Sequence, residues 1–275
     1  MADEIPRGRQ ARAAAEEALV RVVHHYGSKP EFVVLGGLVP ELLCSASPHQ
    51  HAGTTDIDVQ VNLEIECGAV NTERLERALK NAEFEPDSER VWRWRTISEE
   101  ARAVVKFELL ADRDDQPAGA NFVFDNCDRL GAANLRGTGY AVEDVEIRTL
   151  TAKIGGDKLS AEVNVTGVAG FLLAKCAAAY SRRMPKDWYD IAFVLLHSDL
   201  GGPVDAANAV IGKFGDNLVA MDTALKELMV NFADEHSQGP TAYADQMLVD
   251  DPGLDRNALV AESIVAVEEF CRTLF

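Results

Sequence analysis

Apolar positions recur at helical spacing over residues 9–25. Ala11, Ala15, Leu19, Val22, Val23 and Tyr26 fall on one face, and Gly27-Ser28-Lys29-Pro30 stops the run. Phe32-Val33-Val34-Leu35 reads as a short buried strand. Gly36-Gly37 predicts a tight turn, and a helix from Leu38 to Cys44 accommodates Pro40 in its first turn. A polar loop covers 45–53. From Thr55 to Leu63 the period becomes two: Ile57, Val59, Val61 and Leu63 alternate with Asp56, Asp58, Gln60 and Asn62, the pattern of a half-buried strand. Val70–Ala82 returns to helical spacing. Val91–Ile97 and Val104–Leu110 are strand candidates, and 131–140 reads as a glycine-containing loop. Val145–Ile154 and Lys158–Val165 flank Gly155-Gly156, a hairpin signal.

From Val168 the pattern turns helical and stays so, with helices expected near 168–181, 186–197, 217–233 and 257–273. The order is mixed α and β first and all α afterwards. The fold class is therefore α+β, with an α/β domain over 1–165 and a helical domain over 166–275. No internal repeat and no low-complexity segment interrupts it.

Composition narrows the setting. No stretch approaches the roughly 20 apolar residues that span a bilayer, and the acidic start Met1-Ala2-Asp3-Glu4-Ile5-Pro6 lacks the apolar core of a secretory signal. No membrane association and a cytoplasmic location are expected. Cys44, Cys67, Cys127, Cys176 and Cys271 are odd in number and well separated, which argues for buried thiols rather than disulfides or zinc. The net charge of −18 argues against nonspecific coating of nucleic acid. Local basic clusters remain: Arg90, Arg93 and Arg95, and Lys175, Arg182, Arg183 and Lys186.

Asp56 and Asp58, two apart on a strand, point to one side, with backbones about 7 Å apart. Aspartate is depleted in strands, so two at these positions suggest a hard-cation site of the kind magnesium shares with phosphates. Glu108, flanked by apolar residues in Lys106-Phe107-Glu108-Leu109-Leu110, is the candidate third carboxylate, with Asp112 its competitor. Gly36-Gly37 follows a buried strand, opens a helix and precedes the aspartates, where glycine lets backbone approach phosphate oxygens. It is neither a Walker A loop nor G-x-G-x-x-G. Lys175 lies in an almost wholly apolar helix, where a cation needs a partner, and Asp187 at the start of the next helix can supply one, either as a structural ion pair pinning the two helices or as a pair facing the phosphates. His49 and His51 read as loop residues, and His24 and His25 as helix-surface residues.

The Gly36-Gly37 pair followed by Thr55-Asp56-Ile57-Asp58 resembles the Gly-Gly/Ser…Asp-x-Asp motif of the polymerase-β-like nucleotidyltransferase superfamily. Lys175…Arg182…Lys186-Asp187-Trp188-Tyr189-Asp190-Ile191 resembles the K…R…KDxYD block of the AbiEii family, toxins of bacterial type IV toxin–antitoxin systems. The motifs span 36–191. The resemblance implies a mixed sheet with flanking helices and a helical domain closing the active-site cleft. It implies that Asp56, Asp58 and Glu108 hold Mg2+ (or Mn2+), and that Gly36, Gly37, Thr55, Lys175 and Lys186 bind the nucleotide, with Asp187 positioning Lys175. The chain departs from the superfamily in carrying Gly37 where serine is common and Glu108 where aspartate is common.

The expected activity is transfer of a nucleotide from an NTP to a macromolecular acceptor, tRNA above all, with release of pyrophosphate and a cognate antitoxin as a further partner. Two alternatives stand beside it. One is adenylylation of a small cationic molecule such as an aminoglycoside, which the negative charge would help capture. The other is a nucleotide-binding regulatory protein without catalysis.

Overall fold

The computed structural model describes residues 8–98 and 101–275. The extreme N-terminus, read above as lacking a secretory signal, lies outside the described residues. None of the described helices is long and apolar enough to cross a membrane.

The chain is α+β, and it divides into two compact units. Residues up to Val39 together with Gly53–Thr166 form a strand unit. Gly167–Phe275 form a helical unit, to which Pro40–Ala52 also belongs. The sequence reading had placed 40–52 with the strands.

In the strand unit α1 (Arg9–Tyr26) ends at Gly27, whose left-handed backbone (φ 82°) caps it. β1 (Val33–Leu35) leads into a 3-10 turn at Gly36–Leu38, and α2 (Val39–Leu43), which follows it, belongs from Pro40 on to the helical unit. β2 (Asp56–Gln60) is followed by two helices, α3 (Asn62–Glu66) and α4 (Ala69–Asn81). The alternation had carried β2 on to Leu63. Instead the strand stops at Gln60, whose Oε1 accepts from Asn62 N at 2.8 Å and turns the chain into α3.

The remaining strands are β3 (Glu85–Pro86), β4 (Arg93–Ser98), β5 (Ala103–Ala111), β6 (Asn121–Val123) and β7 (Gly131–Asn134). After α5 (Tyr140–Glu143) come β8 (Val145–Ile154) and β9 (Asp157–Thr166). β7 lies in the stretch expected as loop. Its Gly-Ala-Ala-Asn sequence has no strand propensity, and pairing with β5 and β6 makes it a strand. A Cβ at Gly131 would stand 2.3 Å from the Phe122 carbonyl oxygen, so only glycine lets those backbones meet. Gly155 and Gly156, both at positive φ, close the β8–β9 hairpin.

The strands form one mixed sheet in the order β3-β4-β5-β2-β1-β9-β8, with β7 also on β5 and β6 on β7. β2 runs parallel to β5 and antiparallel to β1. Register sorts the side chains onto two faces. One face carries Val34, Ile57, Val59, Trp94, Val105, Phe107, Leu109, Val163 and Val165, all buried. Phe84, just past α4, packs edge-on against Phe107, and α1 lies beside α4 on this side. Burying this apolar face is the unit's main stabilisation. The other face carries the charged residues described below.

The helical unit contains α6 (Val168–Arg182), α7 (Pro185–His197), α8 (Pro203–Phe214), α9 (Asp222–Asn231), α10 (Gln238–Asp250) and α11 (Arg256–Leu274), with a 3-10 stretch at Gly215–Met221. α8 and α10 were not expected, because glycine, alanine and proline blur their apolar stripes. α8 starts on Pro203 and on the Asp205 carboxylate, which accepts from Gly202 N. Segment 40–52 is fixed within this unit by polar contacts. Asp199 accepts from Ser45 N, Ser45 Oγ and Ala46 N, and Glu41 accepts from His51 N at 2.7 Å.

Candidate active site

The charged face of the sheet is laid out by register. Asp58 sits directly opposite Leu35 on β1 and Glu108 on β5, and Glu108 in turn opposite Arg93 on β4. One step along, Asp56 lies opposite Lys106, and Lys106 opposite Arg95. Asp56, Asp58 and Glu108 therefore leave the same face at adjoining positions.

Gly36 completes the row. Its φ is +75°, and a Cβ there would stand 2.0 Å from Asp58 Oδ2. Only glycine brings the turn so close to that carboxylate. At Gly37 a Cβ would lie 3.0 Å from Thr54 Cγ2, a tight but softer contact. Thr54 Oγ1 accepts from Asp56 N, and the Thr55 carbonyl oxygen accepts from Lys106 N at 3.0 Å, so Thr55 anchors the start of β2 through its backbone.

The carboxylates are partly compensated by cations on the same face. Lys106 Nζ donates to Asp56 Oδ1 at 3.0 Å, and Arg93 Nε donates to Glu108 Oε1 at 2.7 Å. Glu108 is half-buried, its side chain 13% exposed. Burial and then the Asp58 charge push its carboxyl up to about 7, with Arg93 pulling against them. Asp112, the competitor for the third position, is used elsewhere. Its Oδ2 accepts from Gly137 N at 2.7 Å and Gly139 N at 3.1 Å, and Arg136 donates to Oδ1.

The donor set suits a hard divalent cation, because it is all carboxylate oxygen and two of the three groups are directly opposite one another. Lys106 and Arg93 engage only Oδ1 of Asp56 and Oε1 of Glu108. The side chains as they stand are not drawn together into a cage: among the described residues no group of three or more His, Cys, Asp or Glu is gathered closely enough to hold a metal ion.

The other expected site residues lie in the helical unit, where they form a buried network. Lys175 Nζ donates to Asp190 Oδ2 at 2.6 Å and to Asp187 Oδ1 at 3.2 Å. Asp187 also accepts from Arg182 through both oxygens, at 2.6 and 2.7 Å. Asp187 is thus a partner of Lys175 as expected, and Asp190 is a second and nearer one. Burial works against the ammonium, but Asp190 and then Asp187 outweigh it and hold Lys175 above its usual value. Burial likewise disfavours ionised Asp187, and Lys175 and Arg182 reverse that and lower it. Lys186 stands half-buried in the first turn of α7.

Two members of this network were missed. Asp190 follows Asp187 by three residues on one helix, so both face the same way, and that spacing was a readable signal. His51 had none. Read as a loop residue, it is 3% exposed, stacks on Tyr189 and sits 2.9 Å from Asp190 Oδ1 through Nε2. The expectation of buried thiols holds for Cys44, Cys176 and Cys271. Cys67 is exposed and Cys127 half-buried, and none of the five forms a disulfide.

The chain matches no protein-family model, no curated protein and no solved structure.

Proposed function

We propose that the chain is a divalent-metal-dependent nucleotidyltransferase of the AbiEii type, acting on an RNA acceptor and tRNA first among them. On this reading it is the toxin of a toxin–antitoxin pair. The observation that carries the reading is the approach of Gly36 to Asp58, with Glu108 across the β2–β5 ladder. A glycine turn pressed against the middle of a carboxylate row is what a triphosphate needs in order to reach a cation held by that row.

Asp56, Asp58 and Glu108 would hold Mg2+ or Mn2+, which when bound neutralises phosphate charge and favours ionisation of an acceptor hydroxyl. The chain's own part is positioning. The Gly36-Gly37 turn receives the triphosphate, and Arg93 and Lys106 keep Glu108 and Asp56 oriented on the sheet face. The acceptor hydroxyl oxygen attacks the α-phosphorus, its proton leaves to a base, and pyrophosphate departs. Lys175 is given no phosphate in this reading, since its ammonium is enclosed by Asp190 and Asp187.

A second reading is favoured by one observation. Two of the three carboxylates are already ion-paired, to Lys106 and Arg93, as in a protein that binds nucleotide without turning it over. Incubation of the purified protein with each labelled NTP and Mn2+ or Mg2+ separates the readings, with total RNA in one arm and aminoglycosides in another. Labelled RNA, lost in Asp58→Asn, supports the proposal. Label on an antibiotic moves the acceptor to small molecules. Nucleotide binding without label in either arm supports the non-catalytic reading, and full activity in Asp58→Asn defeats the mechanism.

A further inference from the structure

The charged face carries one feature that the carboxylate chemistry does not use. Trp92 lies just ahead of β4, its carbonyl oxygen accepting from Leu109 N at 2.8 Å. Its indole is half-buried and rests on an apolar patch of Leu35, Leu110, Ala133 and Ala141. By register Leu35 and Leu110 belong to the face of Asp58 and Glu108. Two guanidinium groups lie against the ring: Arg93 Cζ is 4.8 Å and Arg90 Cζ 5.7 Å from its centroid. Arg90 is exposed, and the turn that presents it is held by Asp87, whose Oδ1 accepts from Glu89 N and Arg90 N at 2.9 and 3.2 Å. Arg93 reaches from the indole to Glu108.

The other tryptophans, Trp94 and Trp188, are 0% and 1% exposed and serve the core. Trp92 instead leaves part of a large ring at a surface, beside two cations, in a chain of net charge −18. An aromatic ring overlaid by two guanidinium groups offers planar stacking surface for a nucleobase and positive charge for its phosphate. The place of this feature decides which base. The apolar patch under Trp92 reaches as far as Leu35, the residue before Gly36, but the turn that carries Arg90 and Trp92 leads into β4, which β5 and β2 separate from β1 in the sheet. With triphosphate at Gly36, the side of Trp92 is left for the acceptor.

We infer that Arg90, Trp92 and Arg93 form the platform for the acceptor, a single-stranded RNA end whose base stacks against the layered Trp92 and arginine planes while Arg90 meets its phosphate. The inference rests on the transferase reading for its assignment to the acceptor.

Tryptophan fluorescence tests it, because Trp92 is the one tryptophan of the three that solvent and ligands can reach. Titration with a short oligoadenylate at low salt should give saturable quenching that disappears in Trp92→Phe, which keeps an aromatic ring in place. Arg90→Glu, at an exposed position, should weaken oligonucleotide binding about tenfold or more without changing Tm. Equal quenching by a free NTP would give the ring to the donor base and overturn the acceptor assignment. Absence of quenching, or unchanged affinity in Arg90→Glu, would overturn the platform. The two proposals fail separately. RNA binding that depends on Arg90 with no nucleotide transfer sinks the transferase reading alone. Transfer that depends on Asp58, with an unchanged KM for RNA in Arg90→Glu, sinks the platform alone.

Discussion

Asp58 and Glu108 are direct partners across the parallel β2–β5 pair, and both carboxylates leave the same face of the sheet. Two like charges at that separation, both half-buried, oppose each other's ionisation. Burial first, and then this repulsion, push the Glu108 carboxyl up to about 7, with Arg93 pulling against them.

That shift has a stability consequence with a definite sign. The folded state holds the Glu108 proton more tightly than the unfolded chain, whose carboxyl titrates near 4.5. The contribution is complete below that value and is lost as pH rises toward about 7. Glu108→Gln should remove this dependence, flattening urea-unfolding stability across the window by about 1–3 kcal/mol. A cation would displace the same proton, so Mn2+ binding followed by calorimetry should tighten from about pH 6 to about pH 8 and release protons. A wild-type stability profile with no slope there would mean that Arg93 keeps Glu108 ionised throughout.

Gly36 and Gly37 should respond differently to alanine. Gly36→Ala meets both a positive φ and Asp58 Oδ2 at 2.0 Å. It should cost about 1–3 kcal/mol and abolish nucleotide binding. Gly37→Ala meets Thr54 at 3.0 Å, where a small side-chain shift relieves the contact, and should be milder on both counts. Equal losses in chemical denaturation and in nucleotide titration would contradict the close approach at Gly36.

Removing Asp190 should hurt more than its place outside the glycine–aspartate motif suggests. It is the nearer partner of a buried ammonium, and Asp187 is already shared with Arg182. Asp190→Ala should destabilise by about 3–5 kcal/mol, because Lys175 is left in the interior with its charge undercompensated. Thermal unfolding of Asp190→Ala beside the Lys175→Met/Asp190→Ala double variant checks the cause. The second change should recover part of the loss.

Acid should weaken the helical unit through His197. Burial and then the neighbouring His49 lower its imidazole to about 4, and Nε2 sits 3.0 Å from Tyr243 Oη. A depressed histidine contributes stability above its unfolded value of 6.5, and that contribution is lost as pH falls toward about 4. His197→Gln should cut the acid-induced loss while lowering stability slightly near neutrality. Far-UV circular dichroism against urea at several pH values reads both effects.

Much of the architecture was legible because it is written in local pattern. The apolar stripe of α1, the paired glycines of the β8–β9 hairpin and the apolar runs of α6 and α7 all fix their elements within a few residues. β7 was not legible, since Gly131–Asn134 becomes a strand only through pairing. The end of β2 was misjudged because the alternation continues past Gln60 while the backbone does not. In the candidate site, period two put Asp56 and Asp58 on one side of their strand. That Arg93 and Lys106 would hold Glu108 and Asp56, and that His51 would lie buried on Asp190, could not be read. Those contacts join residues 15 to 139 positions apart.

By itself the sequence determined the elements with strong periods, the shared direction of the two aspartates and the need of Lys175 for a counter-charge. Each of these follows from bond geometry or from the cost of burying a charge, which act over a few residues. The tertiary structure alone decided that Glu108 rather than Asp112 stands beside Asp58, that Gly36 presses on that carboxylate, and that Trp92 lies on the same face with two arginines over its ring. Strand order and register set these neighbours. They come from burying one whole face of a sheet at once, which no local stretch of sequence encodes.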